Sequence, residues 1–199
     1  MFGGRPLRRG EVDVVVRLAA GSAVCSAVRI DERRLLTAAH GVTYGGGLFD
    51  VRSSDAPLPR ARVIARHPQL DLALLELETC IGTGGVRLPG VGVVTEGMRL
   101  FAAGFGARSP LQPHGTWRAS GGTSRVAHVT PSRFVAARDP VVACFGDSGG
   151  PAFSADRQVL LGIVQGYDRH GDRCGDPIGY TRVDTADVLT WLACGGVGG

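Results

Sequence analysis

The sequence predicts an all-β fold, a barrel or a sandwich, with one helix at its C-terminal end. Nine short apolar or alternating runs recur along the 199 residues, separated by turn-rich pieces. Almost no helical periodicity lies between them, which argues against an alternating βαβ chain. Hydrophobic residues make up 44% and charged residues 20%, so the chain has enough apolar surface for a substantial core.

The first runs are "VDVVVRLAA" (12–20) and "SAVCSAVRI" (22–30), valine-rich and parted by Gly21. "RARVIARH" (60–67) alternates charged and apolar residues at first, whereas "LDLALLELE" (70–78) is almost continuously apolar. "GMRLFAAGFG" (97–106), "TSRVAHVT" (123–130), "PVVACF" (140–145), "QVLLGIVQG" (158–166) and "IGYTRV" (178–183) complete the strand set. "GVTYGGG", "SSDAPLPR" and "GTGG" supply turns. The helix is "DTADVLTWLA" (184–193), with Asp or Thr to cap it and Gly195-Gly196 to stop it. Its apolar stripe is Val188, Leu189, Trp191 and Leu192.

The net charge of +4 is mild, and Arg5, Arg8 and Arg9 read as a solvated basic edge rather than a nucleic-acid surface. No apolar run approaches the ~18–20 residues that a membrane-spanning helix needs. Neither nucleic acid nor membrane is therefore expected as a partner. The five cysteines form no CxxC pair and no His/Cys ligand set, so no metal site is expected. Their odd number leaves at least one thiol unpaired within the chain.

Chemistry concentrates in three stretches. "CFGDSGGPA" (144–152) flanks Ser148 with glycines that permit a tight bend exposing the hydroxyl. A serine needs a base, and the base needs an orienting group. "LLTAAHG" (35–41) ends an apolar run at His40, and Asp71 opens the apolar run at 70–78. A carboxylate there should be paired, and a histidine is a natural partner. The serine segment also satisfies G-x-S-x-G, but an α/β-hydrolase needs the order serine, acid, histidine on an alternating α/β chain. Only His170 follows Ser148, and the helices are missing.

"TAAH", "DLALL" and "GDSGGP", in that order, resemble the chymotrypsin-like (trypsin-fold) serine proteases. The resemblance continues through "GFG" (104–106), "GIV" (162–164), "GYTRV" (179–183) and the helix with Trp191. It implies two antiparallel six-stranded β-barrels and a C-terminal α-helix within one domain over 1–199. The barrels would fall roughly at 12–90 and 97–183, with the active site between them and the helix at 184–193. His40, Asp71 and Ser148 would be the catalytic base, orienting acid and nucleophile of a serine endopeptidase. The backbone N–H groups of Gly146 and Ser148 would form the oxyanion hole. No cofactor or metal is implied. The implied partners are polypeptide substrates and protein inhibitors, acting on a monomer; a silent homologue serving as a binding module is the alternative.

The resemblance also frames the pocket. Val142 stands where trypsin has an acidic residue, with Ala143 after it, and Gln165, Gly166 and Tyr167 replace the family's "SWG" wall. Ile178 occupies the opposite wall, so the pocket is expected to favour a small apolar residue; a slip in alignment would instead bring in Asp176 and a basic preference. Cys144 and Cys174 match a family disulfide. Cys25 lacks its family partner, whose position is Gly41, and is expected to be a buried free thiol. Cys80 and Cys194 could form a second bond. The disulfides imply a secreted or extracytoplasmic protein.

"MFGG" at the front aligns with the family's Ile-Val-Gly-Gly mature end, 24 residues before Cys25. Met1 would then supply the α-amino group that pairs with Asp147. Two origins are open. A longer reading frame carries an upstream signal and pro-segment, the reading we favour because the Gly/Ala/Arg/Val-rich composition suggests a GC-rich genome; or translation starts at Met1 and supplies the amine directly.

Overall fold

The computed structural model describes residues 1–43, 46–109, 116–137, 141–167, 174 and 178–196. Six strands make the first barrel: β2 (Val15–Ala20), β3 (Ala23–Arg29), β4 (Arg34–Thr37), β5 (Leu48–Arg52), β6 (Pro57–Arg66) and β7 (Ala73–Leu77). Their antiparallel order is β2-β3-β4-β7-β6-β5, closed by β2–β5 pairing. The second barrel comprises β8 (Arg99–Gly104), β9 (Ser120–Val129), β10 (Arg133–Ala136), β11 (Pro151–Ser154), β12 (Leu160–Tyr167) and β13 (Ile178–Arg182). Pairing of β8 with both β9 and β11 closes it, and the two-residue β1 (Arg5–Pro6) lies on β9. The expected pair of six-stranded antiparallel barrels is therefore what the chain forms.

Alternation explains each barrel interior. On β5 the pattern in "LFDVR" buries Phe49 and Val51 and leaves Leu48 and Asp50 outside. Phe49, Val51, Leu18, Ala27, Leu35 and Leu75 fill the first barrel. Leu100, Phe134, Leu161, Val164 and Tyr180 fill the second, where the Phe134 and Tyr180 rings stack at 4.9 Å. A third cluster joins the barrels: Val28, Leu36 and Leu72 of the first meet Phe105, Phe153 and Ile163 of the second. The cleft between the barrels thus has a packed apolar floor.

Helix α1 (Ala186–Ala193) seals one end of that joint. Thr185 is the cap, its hydroxyl accepting from the Val188 N–H at 3.2 Å, and Val188, Trp191 and Leu192 turn inward. Asp184, the other cap candidate, is instead fully buried and held by the Arg182 guanidinium at 2.8 and 2.9 Å.

Two expectations need correction. "PVVACF" is not a strand over its described residues. Val142 makes an isolated two-bond bridge with Phe2, and the chain then turns at Cys144. The apolar run reflects burial of Val141, Val142 and Ala143 rather than sheet pairing. Cys80 and Cys194 are both free and exposed. Each segment is held by its own backbone bonds, Ile81 N–H donating to the Glu32 carbonyl on the β3–β4 turn and Cys194 N–H to the Thr190 carbonyl at the helix end, and each thiol stays exposed. Cys25 is free and buried, and Cys144 and Cys174 are joined by a disulfide.

Candidate active site

Strand register brings His40 to Asp71. β4 and β7 pair antiparallel with Thr37 opposite Ala73, so the chain leaving β4 runs beside the chain entering β7. His40 lies three residues beyond Thr37, in a short 3-10 turn (Ala39–Val42), and Asp71 lies two residues before Ala73. Asp71 accepts twice from His40: Oδ1 from the backbone N–H at 2.8 Å and Oδ2 from Nδ1 at 2.6 Å. The carboxylate is 16% exposed and the imidazole 48% exposed, so one is fixed in the wall and the other faces the cleft. With Nδ1–H donating, Nε2 is left as the proton-accepting nitrogen.

The turn carrying Asp71 is itself braced. His67 Nδ1 accepts from the N–H groups of Gln69 and Leu70, each at 3.3 Å, much as an asparagine side chain caps a turn. The His67 ring lies 5.1 Å from Trp191, edge-on, and its Nε2 is 3.3 Å from Asp187 Oδ2. Sequence reading missed this residue; its signal was a histidine before a proline, four positions ahead of Asp71.

The Ser148 segment is two successive tight turns, with Asp147 N–H bonding Cys144 O at 2.9 Å and Gly150 N–H bonding Asp147 O at 2.8 Å. Gly146 sits at φ +90°, a region that side-chain-bearing residues avoid. The first barrel grips this turn through Ser26 on β3. Its N–H donates to Ser148 O at 2.8 Å, and its hydroxyl donates to Gly146 O at 2.8 Å and accepts from Phe105 N–H at 2.9 Å. Thr37 Oγ1 donates to Ser26 O at 2.7 Å, linking the same hub to the strand that delivers His40. A Cβ on Gly149 would collide with Thr37 Oγ1 and Ser26 O, so this approach requires glycine. Ser26 and Thr37 are further positioning residues; Thr37 opens the "TAAH" motif without a role being assigned to it, and Ser26 lies in none of the motifs.

Among the described residues, the N–H groups of Gly146 and Ser148 have no hydrogen-bond acceptor. Two free amides on one turn can receive a developing oxyanion. Ser148 Oγ and His40 Nε2 make no direct hydrogen bond, and the partner of the imidazole is Asp71 on the Nδ1 side. Such contacts commonly tighten only when substrate is bound.

Asp147 is fully buried beneath the turn. Its Oδ2 lies 2.8 Å from the Met1 ammonium and accepts from Cys144 N–H at 2.9 Å, and its Oδ1 accepts from Gly106 N–H at 2.8 Å. Met1, also fully buried, donates in addition to Ser120 Oγ at 3.1 Å and Gly106 O at 3.3 Å. A buried charge pair with this many partners is a fully satisfied one.

Val142 and Ala143 are buried in the second barrel's core. Gln165 is half-buried with its Oε1 lacking a partner, and it does not bond Asp71. Gly166 and Tyr167 face Gly179 and Ile178 across the β12–β13 ladder. Asp176 lies outside the described residues, as do the side chains of Tyr167 and Ile178. Among the described residues no group of His, Cys, Asp and Glu is placed to hold a metal ion. No helix of the described chain is long and apolar enough to cross a membrane.

Comparison with known proteins places this geometry. The architecture superposes on neuropsin, a serine protease expressed in the limbic system of mouse brain, with TM-score 0.80 over 98% of this chain and 99% of that one; identity is 19%. A collagenase of Hypoderma lineatum is 45% identical over 49 residues, a match covering 25% of this chain and 18% of that protein. The trypsin family model matches residues 1–192. With nearly the whole chain matched, from the buried amino terminus to the C-terminal helix, this protein belongs to the trypsin family.

Proposed function

We propose that this protein is a serine endopeptidase that works through His40, Asp71 and Ser148. The observation that carries the reading is the double bond pattern from His40 to Asp71, set on the strand that also grips the Ser148 turn through Thr37 and Ser26. Ser148 Oγ attacks the scissile carbonyl while His40 Nε2 accepts its proton. His40 then protonates the leaving amine, and water repeats the sequence on the acyl-enzyme. Asp71 holds the tautomer and stabilises the imidazolium. The amides of Gly146 and Ser148 stabilise the oxyanion, each such donor contributing about 3–4 kcal/mol to lowering the barrier.

The absence of a carboxylate at Val142 and Ala143 supports preference for a small apolar residue before the scissile bond. The Cys144–Cys174 disulfide supports function outside the reducing cytoplasm. Polypeptides are the substrates, protein inhibitors the expected regulators, and a monomer the working state. A fluorophosphonate probe should form one adduct, on Ser148, that is lost in Ser148→Ala and strongly slowed in His40→Ala. Folded protein that forms no adduct would leave the fold as a binding module. A substrate library resolves the pocket: selection of Lys or Arg would overturn the small-apolar assignment.

A further inference from the structure

Away from the triad, an exposed indole sits among positive charges that have no counter-ion among the described residues. Trp117 is 68% exposed, and its ring centroid lies 4.6 Å from the Arg17 guanidinium and 5.4 Å from that of Arg52. Arg17 and Arg52 are direct register partners on β2 and β5, so their side chains rise from one face of the barrel. Like charges opposite one another repel. Burial first, and Arg52 next, push the Arg17 guanidinium below its ordinary value. Among the described residues neither arginine has a carboxylate within 4 Å, and Arg17 Nε is buried without a hydrogen-bond partner. The three side chains line a depression of about 380 Å³ together with Val51, Pro57, Leu58 and one acid, Asp50, which pairs with neither arginine.

This depression is close to the nucleophile. Arg17 faces Ser26 across β2–β3, and Ser26 N–H holds Ser148 O. At ~4.8 Å per strand spacing, the Arg17 backbone is about 10 Å from that of Ser148, the reach of roughly three extended residues. We propose that Arg17, Arg52 and Trp117 form a secondary binding site for an acidic stretch of the polypeptide substrate, two to four residues from the scissile bond. This rests on the peptidase reading above. A guanidinium stacked on an aromatic face keeps its N–H edge free to donate to a carboxylate. The carboxylate relieves the arginine repulsion, while an apolar neighbour covers the indole and Leu58. A polypeptide fits better than a sulfated glycan, because its chain already runs to Ser148 and the indole offers it apolar contact.

The test uses paired fluorogenic peptides with one cleavable core, carrying Glu-Leu or Gln-Leu at successive positions two to four residues from the scissile bond, on either side. At low salt the acidic peptide should show roughly tenfold higher kcat/KM, through KM, on one side only. That ratio should fall towards one in Arg52→Gln and in Arg17→Gln/Arg52→Gln, and in ~1 M salt, where the Debye length is about 3 Å. It should rise in Asp50→Asn. The single Arg52 variant covers the case in which loss of the half-buried Arg17 disturbs folding. Turnover of both peptides at equal rates in the native protein overturns the site while leaving the peptidase reading intact. If nothing is turned over and no fluorophosphonate adduct forms, the peptidase reading fails. The site is then judged by titrating the same peptides against indole fluorescence, with Trp117→Phe as control. Equal affinity for the Glu and Gln peptides, or binding only of a sulfated glycan, overturns it.

Discussion

Replacing Asp147 with asparagine keeps the volume of the side chain and removes only its charge. In the native protein that carboxylate, with no exposure to solvent, meets the Met1 ammonium at 2.8 Å and two backbone N–H groups at 2.8 and 2.9 Å. Asparagine retains one acceptor oxygen, but its NH₂ must face either the ammonium or an amide, donor against donor. In either orientation the ammonium loses its buried counter-charge and is left with neutral acceptors, Ser120 Oγ and Gly106 O among them. Stripping one partner from a buried ion pair costs about 3–5 kcal/mol. That is a large share of the ~5–15 kcal/mol that stabilises a domain. In a chain of this size it corresponds to a fall in Tm of roughly 6–20 °C. Turnover should fall as well, because Asp147 lies between Gly146 and Ser148 and its two backbone bonds hold their turn. The assays are chemical unfolding and substrate hydrolysis normalised to titrated Ser148. An Asp147→Asn protein within about 0.5 kcal/mol of the parent, with unchanged turnover, would refute the reasoning.

Three further outcomes are expected. Glu11 accepts from both Arg5 Nη atoms, the Arg8 N–H and Arg157, and these bonds, Arg5 foremost, hold its carboxyl well below the usual range. A depressed folded value means the stabilisation is full above the ordinary carboxylate range and is lost as pH falls through the folded value. Unfolding curves of the parent and Glu11→Gln should therefore differ at neutral pH and converge in acid, more weakly at high salt; a gap independent of pH would count against this. Thiol titration should modify the exposed Cys80 and Cys194 in the folded protein but reach Cys25 only on unfolding, since burial pushes its thiol up to about 12. Rapid modification of a third thiol in the native state would be inconsistent with that burial. His67→Asn, whose Oδ1 can cap the same turn, should retain most of kcat. His67→Phe should lower kcat more than KM by loosening Asp71; equal loss in both variants would make His67 a packing residue only.

The class of fold was legible because alternation and apolar runs report which faces are buried, and these dominate in a protein built of strands. Strands such as "LFDVR" and "RFVA" went unread, since four or five residues give too little periodicity to separate from loop. "PVVACF" was misread for the related reason that burial alone mimics a strand. His40, Asp71, Ser148 and Gly146 were visible because each sits in one of the three motifs "TAAH", "DLALL" and "GDSGGP". Barrel closure could not be read locally: β2 meets β5 and β8 meets both β9 and β11 through contacts distant in sequence. The same holds for the hubs: Ser26 and His67 are ordinary residues in their own segments, and Thr37, though it opens the "TAAH" motif, shows no partner there. They acquire roles only when register sets Thr37 beside Ser26, Ser26 beneath the Ser148 turn, and His67 against Trp191. Local chemistry by itself determined which groups could react. Tertiary packing alone decided which backbone and side-chain donors hold them still, because a hydrogen bond between segments about 120 residues apart has no signature in either one.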